Sequence, residues 1–257
     1  MSRILAPIAY LLAMVAGTLT MSAAVGQERT LRVGADSDYR PISYPDPSGK
    51  MIGFDVDFAT ALASHMGVKL QYEGMAWDGI IPALQSKKID AVTDLVATDK
   101  RKEVVAFSNP YLVQTITTVV RADKPELSPG PEELAKLRVG VMVSTAAATA
   151  LEKMPGVKPT TYNTVADEYS DLLLGRIDVV VIESINGAYV ASATYPGKLR
   201  VTGRALSDDK SLVAVAVRKD DTALLNEVNA AIAKMRSDGS LKATVMKWFG
   251  DDRMAVQ

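Results

Sequence analysis

The chain has 257 residues, 48% apolar and 23% charged, close to globular averages, so disorder and fibrous structure are excluded. A formal charge of -1, from 29 basic and 30 acidic side chains without a long run of either sign, offers no basic stripe, and nucleic acid is not an expected partner. With no cysteine and one histidine, His65, disulfides, thiolate nucleophiles and Cys/His zinc sites are excluded, and no cofactor or metal is expected.

Residues 1–26 carry one base, Arg3, and no acid, and an apolar stretch from Ile4 through Leu19 ends in small residues. This pattern predicts a cleaved secretory signal, with cleavage after Ala24 or, preferably, after Gly26. The run falls short of the roughly 20 strongly apolar residues of a membrane span, and Pro7 and Gly17 interrupt it. Without a cysteine no lipoprotein anchor is available, so a free periplasmic protein is expected.

The mature chain opens with alternation over Leu31 to Ala35, a strand, and then a turn-rich stretch from Tyr44 to Gly49. Phe58, Leu62 and Met66 share one face of a helix predicted over Asp55 to Met66, which Gly67 stops. A strand over Val68 to Tyr72, a helix near Asp78 to Ser86, a strand over Ile89 to Thr93, a helix over Lys100 to Val105 and a β-rich run over Thr115 to Arg121 follow. This rhythm predicts a parallel α/β sheet. After the Pro-rich link from Pro125 to Pro131 the pattern restarts. A strand over Arg138 to Val143, helices over Thr145 to Lys153 and Ala166 to Leu174, and an apolar strand over Val179 to Ile182 make a second unit. Leu212 to Arg218 mirrors the earlier extended run, and helices over Thr222 to Ser237 and Leu241 to Phe249 close the chain. Two lobes joined by two extended crossings are expected: 27–114 with 215–257, and 115–214.

Gly53-Phe54-Asp55-Val56-Asp57-Phe58, followed by Leu62-Ala63 and Met66, resembles the signature of periplasmic solute-binding proteins of the polar amino-acid type, family 3. Further motifs fall in that family's order: Arg32 to Asp36 with Tyr39 and Pro41, Trp77-Asp78-Gly79, Thr98-Asp99-Lys100-Arg101, Phe107 to Tyr111, and Lys247-Trp248-Phe249-Gly250. The resemblance spans essentially the whole mature chain. It implies an α/β fold of the type II clamshell kind, two lobes with two hinge strands, closing on a small solute. A monomer that hands an amino acid to the membrane permease of an ATP-driven transporter is the implied function and partner.

The same resemblance implies the site. Arg101 stands where the family holds a ligand carboxylate, a role suited to a planar guanidinium fork. Glu183 stands where an aspartate usually meets the ammonium, one methylene longer here. Trp77 and Tyr39 are the expected aromatic walls, and Asp36, at the end of the first strand, is expected to point into the cleft or to act as a structural anchor. Thr145 and the Ala146 amide, at a helix start, are expected to greet the carboxylate, with a plain N-cap as the bland alternative.

Two departures from the pattern stand out. The segment Val92 to Ala97 is one residue short of the usual hydroxyl- or glycine-rich loop, so the hydroxyl that contacts the ammonium is missing or replaced: Thr93 and Asp94 are the candidates there, with a capping acid on a loop as the bland reading of Asp94. Ser144 takes a position where glycine is common, and Ala146-Ala147 replace polar residues. Three acids in the cleft against one base would favour a basic amino acid.

Two other classes compete with transport. An enzyme on the same fold, a dehydratase of prephenate- or arogenate-type substrates, would need a carboxylic acid of raised pKa, and Glu183 or Asp94 could serve. A sensory module would continue into a membrane span and a signalling domain. For the targeting segment the expected outcome is direct: expression in a Gram-negative host gives soluble periplasmic protein whose N-terminal sequencing starts at Val25 or Gln27. Intact chain retained in the membrane fraction would contradict the signal-peptide reading.

Overall fold

The structure is a computed structural model that describes residues 29–206 and 210–256; the expected signal segment lies outside the described residues. Strand β1 (Thr30–Asp36) leads through a ribbon of β2 (Tyr44–Pro45) and β3 (Met51–Ile52) into helix α1 (Phe54–Met66). Phe54, Phe58 and Leu62 recur at i, i+4 and i+8, so one face of α1 is apolar and all three are fully buried. The helix stops where Gly67 adopts the left-handed conformation at φ +67°. Next come β4 (Lys69–Met75), a 3₁₀ turn at Trp77–Gly79, α2 (Ile80–Gln85), β5 (Ala91–Val96), α3 (Asp99–Lys102), β6 (Ala106–Phe107) and β7 (Leu112–Gln114).

The chain then enters a second sheet with β8 (Ile116–Arg121), α4 (Pro131–Leu134), β9 (Val139–Met142), α5 (Ala146–Glu152), β10 (Thr160–Tyr162), α6 (Val165–Leu173) and β11 (Val179–Glu183). Helix α7 (Ser184–Tyr189), a π-helical turn over Val190–Thr194 and β12 (Leu199–Ala205) complete it. The return strand β13 (Ser211–Val217), α8 (Thr222–Ser237) and α9 (Ser240–Phe249) rejoin the first sheet.

The first sheet runs β4-β1-β5-β13-β6, with β7 also on β13, and the second runs β10-β9-β11-β8-β12. The expectation of parallel sheets is corrected: both are mixed, because β13 is antiparallel to β5 and β8 is antiparallel to β11 and β12. Both antiparallel strands are ones that carry the chain between lobes, where no crossover helix sets direction. Ser211 pairs with Gln114 and Val213 with Leu112, so all of β13 belongs to the first sheet.

The first lobe's core centres on an aromatic cluster. Phe58 stacks on Tyr111 at 3.8 Å, and Phe54 lies 4.8 Å from Phe249, tying α1 to α9 and to the segment before β7. In the second lobe, Val179 and Val181 face one apolar layer while Val180 and Ile182 face the other. Helices thus cover both faces of the sheet, which explains the unbroken apolar run of β11. Helix α7 carries little helical signal because its burial comes from tertiary contact. Gly187 packs so closely that a Cβ there would stand 3.1 Å from both Ile182 and Val119.

Gly53 makes the tightest backbone demand. It enters α1 at φ +134°, and a Cβ would stand 2.1 Å from the Ile42 carbonyl oxygen, a backbone atom that cannot rotate away. Gly53→Ala is expected to cost at least about 2 kcal/mol and to lower Tm by roughly 4 °C or more in a thermal melt. Gly67→Ala, at φ +67° with nothing within 4 Å, should cost only about 1 kcal/mol. Equal losses at the two positions would contradict the steric account.

Candidate functional site

The carboxyl ends of β1 and β5 in one lobe face the start of α5 and the end of β11 in the other, as expected for a ligand cleft in an open α/β sheet. The cleft between them encloses about 350 Å³, its open mouth included. Tyr39, Trp77, Asp94 and Arg101 line it from the first lobe, and Thr145, Ala146 and Glu183 from the second.

Local rules fix each side chain. Thr98 caps α3, its hydroxyl oxygen accepting from the Arg101 N–H at 3.3 Å, and the short helix thereby turns Arg101 inward. The helix expected to reach Val105 ends at Lys102. Arg101 is 7% exposed; its Nη1 donates to the Val96 carbonyl at 2.8 Å and its Nη2 crosses the cleft to the Ser144 carbonyl at 2.7 Å. Its guanidinium lies 5.5 Å from the Trp77 ring centroid. Burial pulls the Arg101 pKa down, against the opposing pull of Glu183 and Asp94.

Glu183 is 5% exposed and ends β11. Its Oε2 accepts from the Tyr39 hydroxyl at 2.7 Å and its Oε1 from the Ala147 N–H at 3.2 Å. Burial, and then the Glu183 charge, push the Tyr39 phenol well above its ordinary range. Thr145 caps α5: its hydroxyl donates to the Met142 carbonyl at 2.9 Å and accepts from the Ala148 N–H at 3.1 Å. The capping role is therefore realised in full.

The two-residue period of β5 separates Thr93 from Asp94. Thr93 lies outside the cleft lining: it is fully buried beneath the sheet, its hydroxyl donating to Asp55 Oδ2 at 2.5 Å. Tyr72 donates to the same oxygen at 2.8 Å, and Tyr111 donates to the Thr93 carbonyl at 2.5 Å. Asp94 points the other way, into the cleft, and among the described residues no hydrogen bond or ion pair reaches it. Burial drives the Asp94 pKa well up, with the charges of Asp55 and Glu183 adding and Arg101 opposing. Asp36 is also absent from the lining: its Oδ1 accepts the Asp38 N–H at 2.8 Å, the anchoring role, and burial raises it to about 6.

The reading of the sequence missed Val96, Gln114 and Met142 in the lining, and Asn186 beside it. Asn186, fully buried, accepts from the Tyr169 hydroxyl at 2.9 Å and donates to the Arg40 carbonyl at 2.7 Å across the lobes. Nothing in its local sequence marks it. Gln114 was legible only as the last residue before the first crossing.

Two lobes around a cleft with one buried guanidinium, facing carboxylates and aromatic walls define a solute-binding protein. The chain belongs to the bacterial extracellular solute-binding proteins, family 3, whose model matches residues 31–251. The L-cystine-binding protein TcyJ of Escherichia coli K12 is 37% identical over 230 residues, 89% of this chain and 85% of that protein. The L-arginine-binding protein of Pseudomonas aeruginosa is 34% identical over 88% of this chain and 90% of its own. Among solved structures, the ancestral amino acid-binding protein AncCDT-1, a precursor of cyclohexadienyl dehydratase, superposes with a TM-score of 0.77. It is 36% identical, over 86% of this chain and 95% of its own.

The buried pin beneath the cleft yields a pH prediction. Burial raises Asp55 to about 6 despite two hydroxyl donors, and its Oδ1 has no partner. The native state therefore holds a proton that the unfolded chain releases near its ordinary pKa of about 3.9. Asp55 thus favours folding at low pH, and this contribution is lost as pH rises from about 4 through 6. Chemical denaturation at pH 4.5 and 7 should show wild type losing about 1 to 3 kcal/mol more than Asp55→Asn over that interval. An identical pH dependence in the two proteins would contradict the buried-acid account.

Proposed function

We propose that this chain is the amino-acid-binding component of an ATP-driven importer, acting in the periplasm and delivering its ligand to a membrane permease. We further propose that the ligand is a cationic amino acid. The observation that carries the second statement is the charge balance: Asp94 and Glu183 line the cleft against the single guanidinium of Arg101. Neighbouring negative charge and burial make ionised Asp94 costly, and a ligand cation beside it would relieve that cost. Trp77 and Val96 offer apolar surface for an aliphatic stem.

Arg101 is the proposed partner of the ligand's α-carboxylate. A guanidinium has five N–H donors, and the two carbonyl contacts leave three for the ligand. In this reading the lobes rotate about the crossings at Thr115 and after Ala205, and Tyr39 and Trp77 form the walls. The ligands named for similar proteins, L-cystine and L-arginine, both carry the α-carboxylate and α-ammonium of a zwitterion, and arginine adds a side-chain cation. A binding role also agrees with Glu183, whose two oxygens are both engaged by the protein.

Calorimetry on refolded protein, freed of co-purified ligand, tests both statements. Arginine, lysine or ornithine should bind at least about tenfold more tightly than glutamate; the reverse order would remove the charge argument and leave the importer reading intact. Arg101→Ala should weaken binding by about 2 to 5 kcal/mol, or roughly 30- to several-thousand-fold. Lys102→Ala, on an exposed side chain paired with Asp99 at 3.0 Å, should change it little. Comparable losses from both would mean that the site lies elsewhere.

A further inference from the structure

Ser144 is one of two described residues other than glycine with a positive φ, at +60°, and it lies in the turn between β9 and α5. Glycine adopts that conformation without strain, whereas a side chain there is held in it by its surroundings. Its consequence here is the direction of the carbonyl. The Ser144 oxygen leaves its own lobe and accepts from Arg101 Nη2 at 2.7 Å and from Trp77 Nε1 at 3.2 Å, both in the first lobe. The serine side chain takes no part; the backbone does the work.

Arg101 is held from two sides. Val96, on the preceding strand of its own lobe, takes Nη1, and Ser144, on the opposite lobe, takes Nη2. Two carbonyl acceptors on separate nitrogens fix the plane of a guanidinium and so fix where its remaining N–H groups point. One of those acceptors exists only while the lobes are together. We propose that Ser144 is a positioning residue: its left-handed backbone orients Arg101 for the ligand carboxylate and makes that orientation conditional on lobe closure. The inference rests on the amino-acid-binding reading above and assigns to Ser144 a role acting through Arg101.

The separating measurement is discrimination between a carboxylate and its amide. Calorimetry with L-arginine, L-lysine, L-histidine and L-glutamine, each beside its α-carboxamide, reads how well Arg101 is aimed. A purely structural role for Ser144 would weaken acid and amide alike. Wild type should prefer the acid form of its best ligand, and Ser144→Gly, which keeps the left-handed turn, should hold that preference within about twofold. Ser144→Val, whose branched side chain opposes φ near +60°, should reduce the preference by about 10-fold or more, the scale of a hydrogen bond to a charged group. Near-UV circular dichroism confirms that the variant is folded.

Trp77→Phe is an independent arm that leaves the backbone untouched. It removes one donor from the Ser144 oxygen but leaves Arg101 in place, so affinity should fall for acid and amide together with their ratio retained. Loss of the ratio in Trp77→Phe, or an unchanged ratio in folded Ser144→Val, would overturn the proposal, as would a wild type that binds acid and amide equally. A wild type that binds neither a member of the panel nor L-cystine would instead overturn the amino-acid-binding reading.

Discussion

The buried carboxyl group of Asp55 is the constraint on which the first lobe depends. It sits in the first turn of α1 and takes hydroxyl donors from Tyr72 on β4 and Thr93 on β5, so one oxygen joins three elements. Because side chains on a strand alternate, holding Thr93 downward obliges Asp94 to point up into the cleft. Tyr111 reinforces the same strand from below through the Thr93 carbonyl while stacking on Phe58. The chemistry of the cleft is therefore set from beneath it: a slip of one residue in β5 would exchange an acid for a hydroxyl at its floor.

Asp55, Asp94, Glu183 and Asp36 form a negative neighbourhood with Arg101 as the cation among them, and burial strengthens every term. This accounts for why Arg101 is gripped by carbonyl oxygens rather than by a carboxylate of the protein. A bidentate ion pair with Asp94 or Glu183 would occupy the N–H groups that the proposed pairing with a ligand carboxylate would use. Carbonyls orient the guanidinium and leave its charge uncompensated for the solute.

Much of this architecture was legible in the sequence because it follows from period and punctuation. The helical stripe of α1, the Gly67 stop, the apolar β11 and the cap at Thr145 are local signals, and the structure carries each of them. The family motifs led to Arg101, Trp77 and Glu183, which the cleft brings together. What escaped is non-local. The antiparallel direction of β8 and β13 is decided by chain return between lobes, and α7 forms because Gly187 packs on β8 and β11. Thr93 and Asp94 are neighbours on an alternating strand, and which of them faces the cleft is set by Asp55, a partner remote in sequence. Asn186 and the Ser144 carbonyl carry no motif, since one is defined by a partner more than a hundred residues away and the other is backbone.

The energetics of closure follow from where apolar surface has been spent. Each sheet has its own layers, and apolar contact also passes between the lobes: Ile185 of α7 packs in the first lobe's core, while Tyr39 and Trp77 pack against the second's. The hydrogen bonds that cross the cleft include Tyr39 to Glu183, Arg101 and Trp77 to Ser144, and Asn186 to Arg40. Such bonds are each worth about 1 kcal/mol net, because opening returns both partners to water. Their sum is a few kcal/mol, comparable to the population shifts that a micromolar solute can impose. In the proposed reading a solute adds its own charged contacts to these, and Arg101, bonded to both lobes at once, is where the solute's contacts and the protein's own would meet.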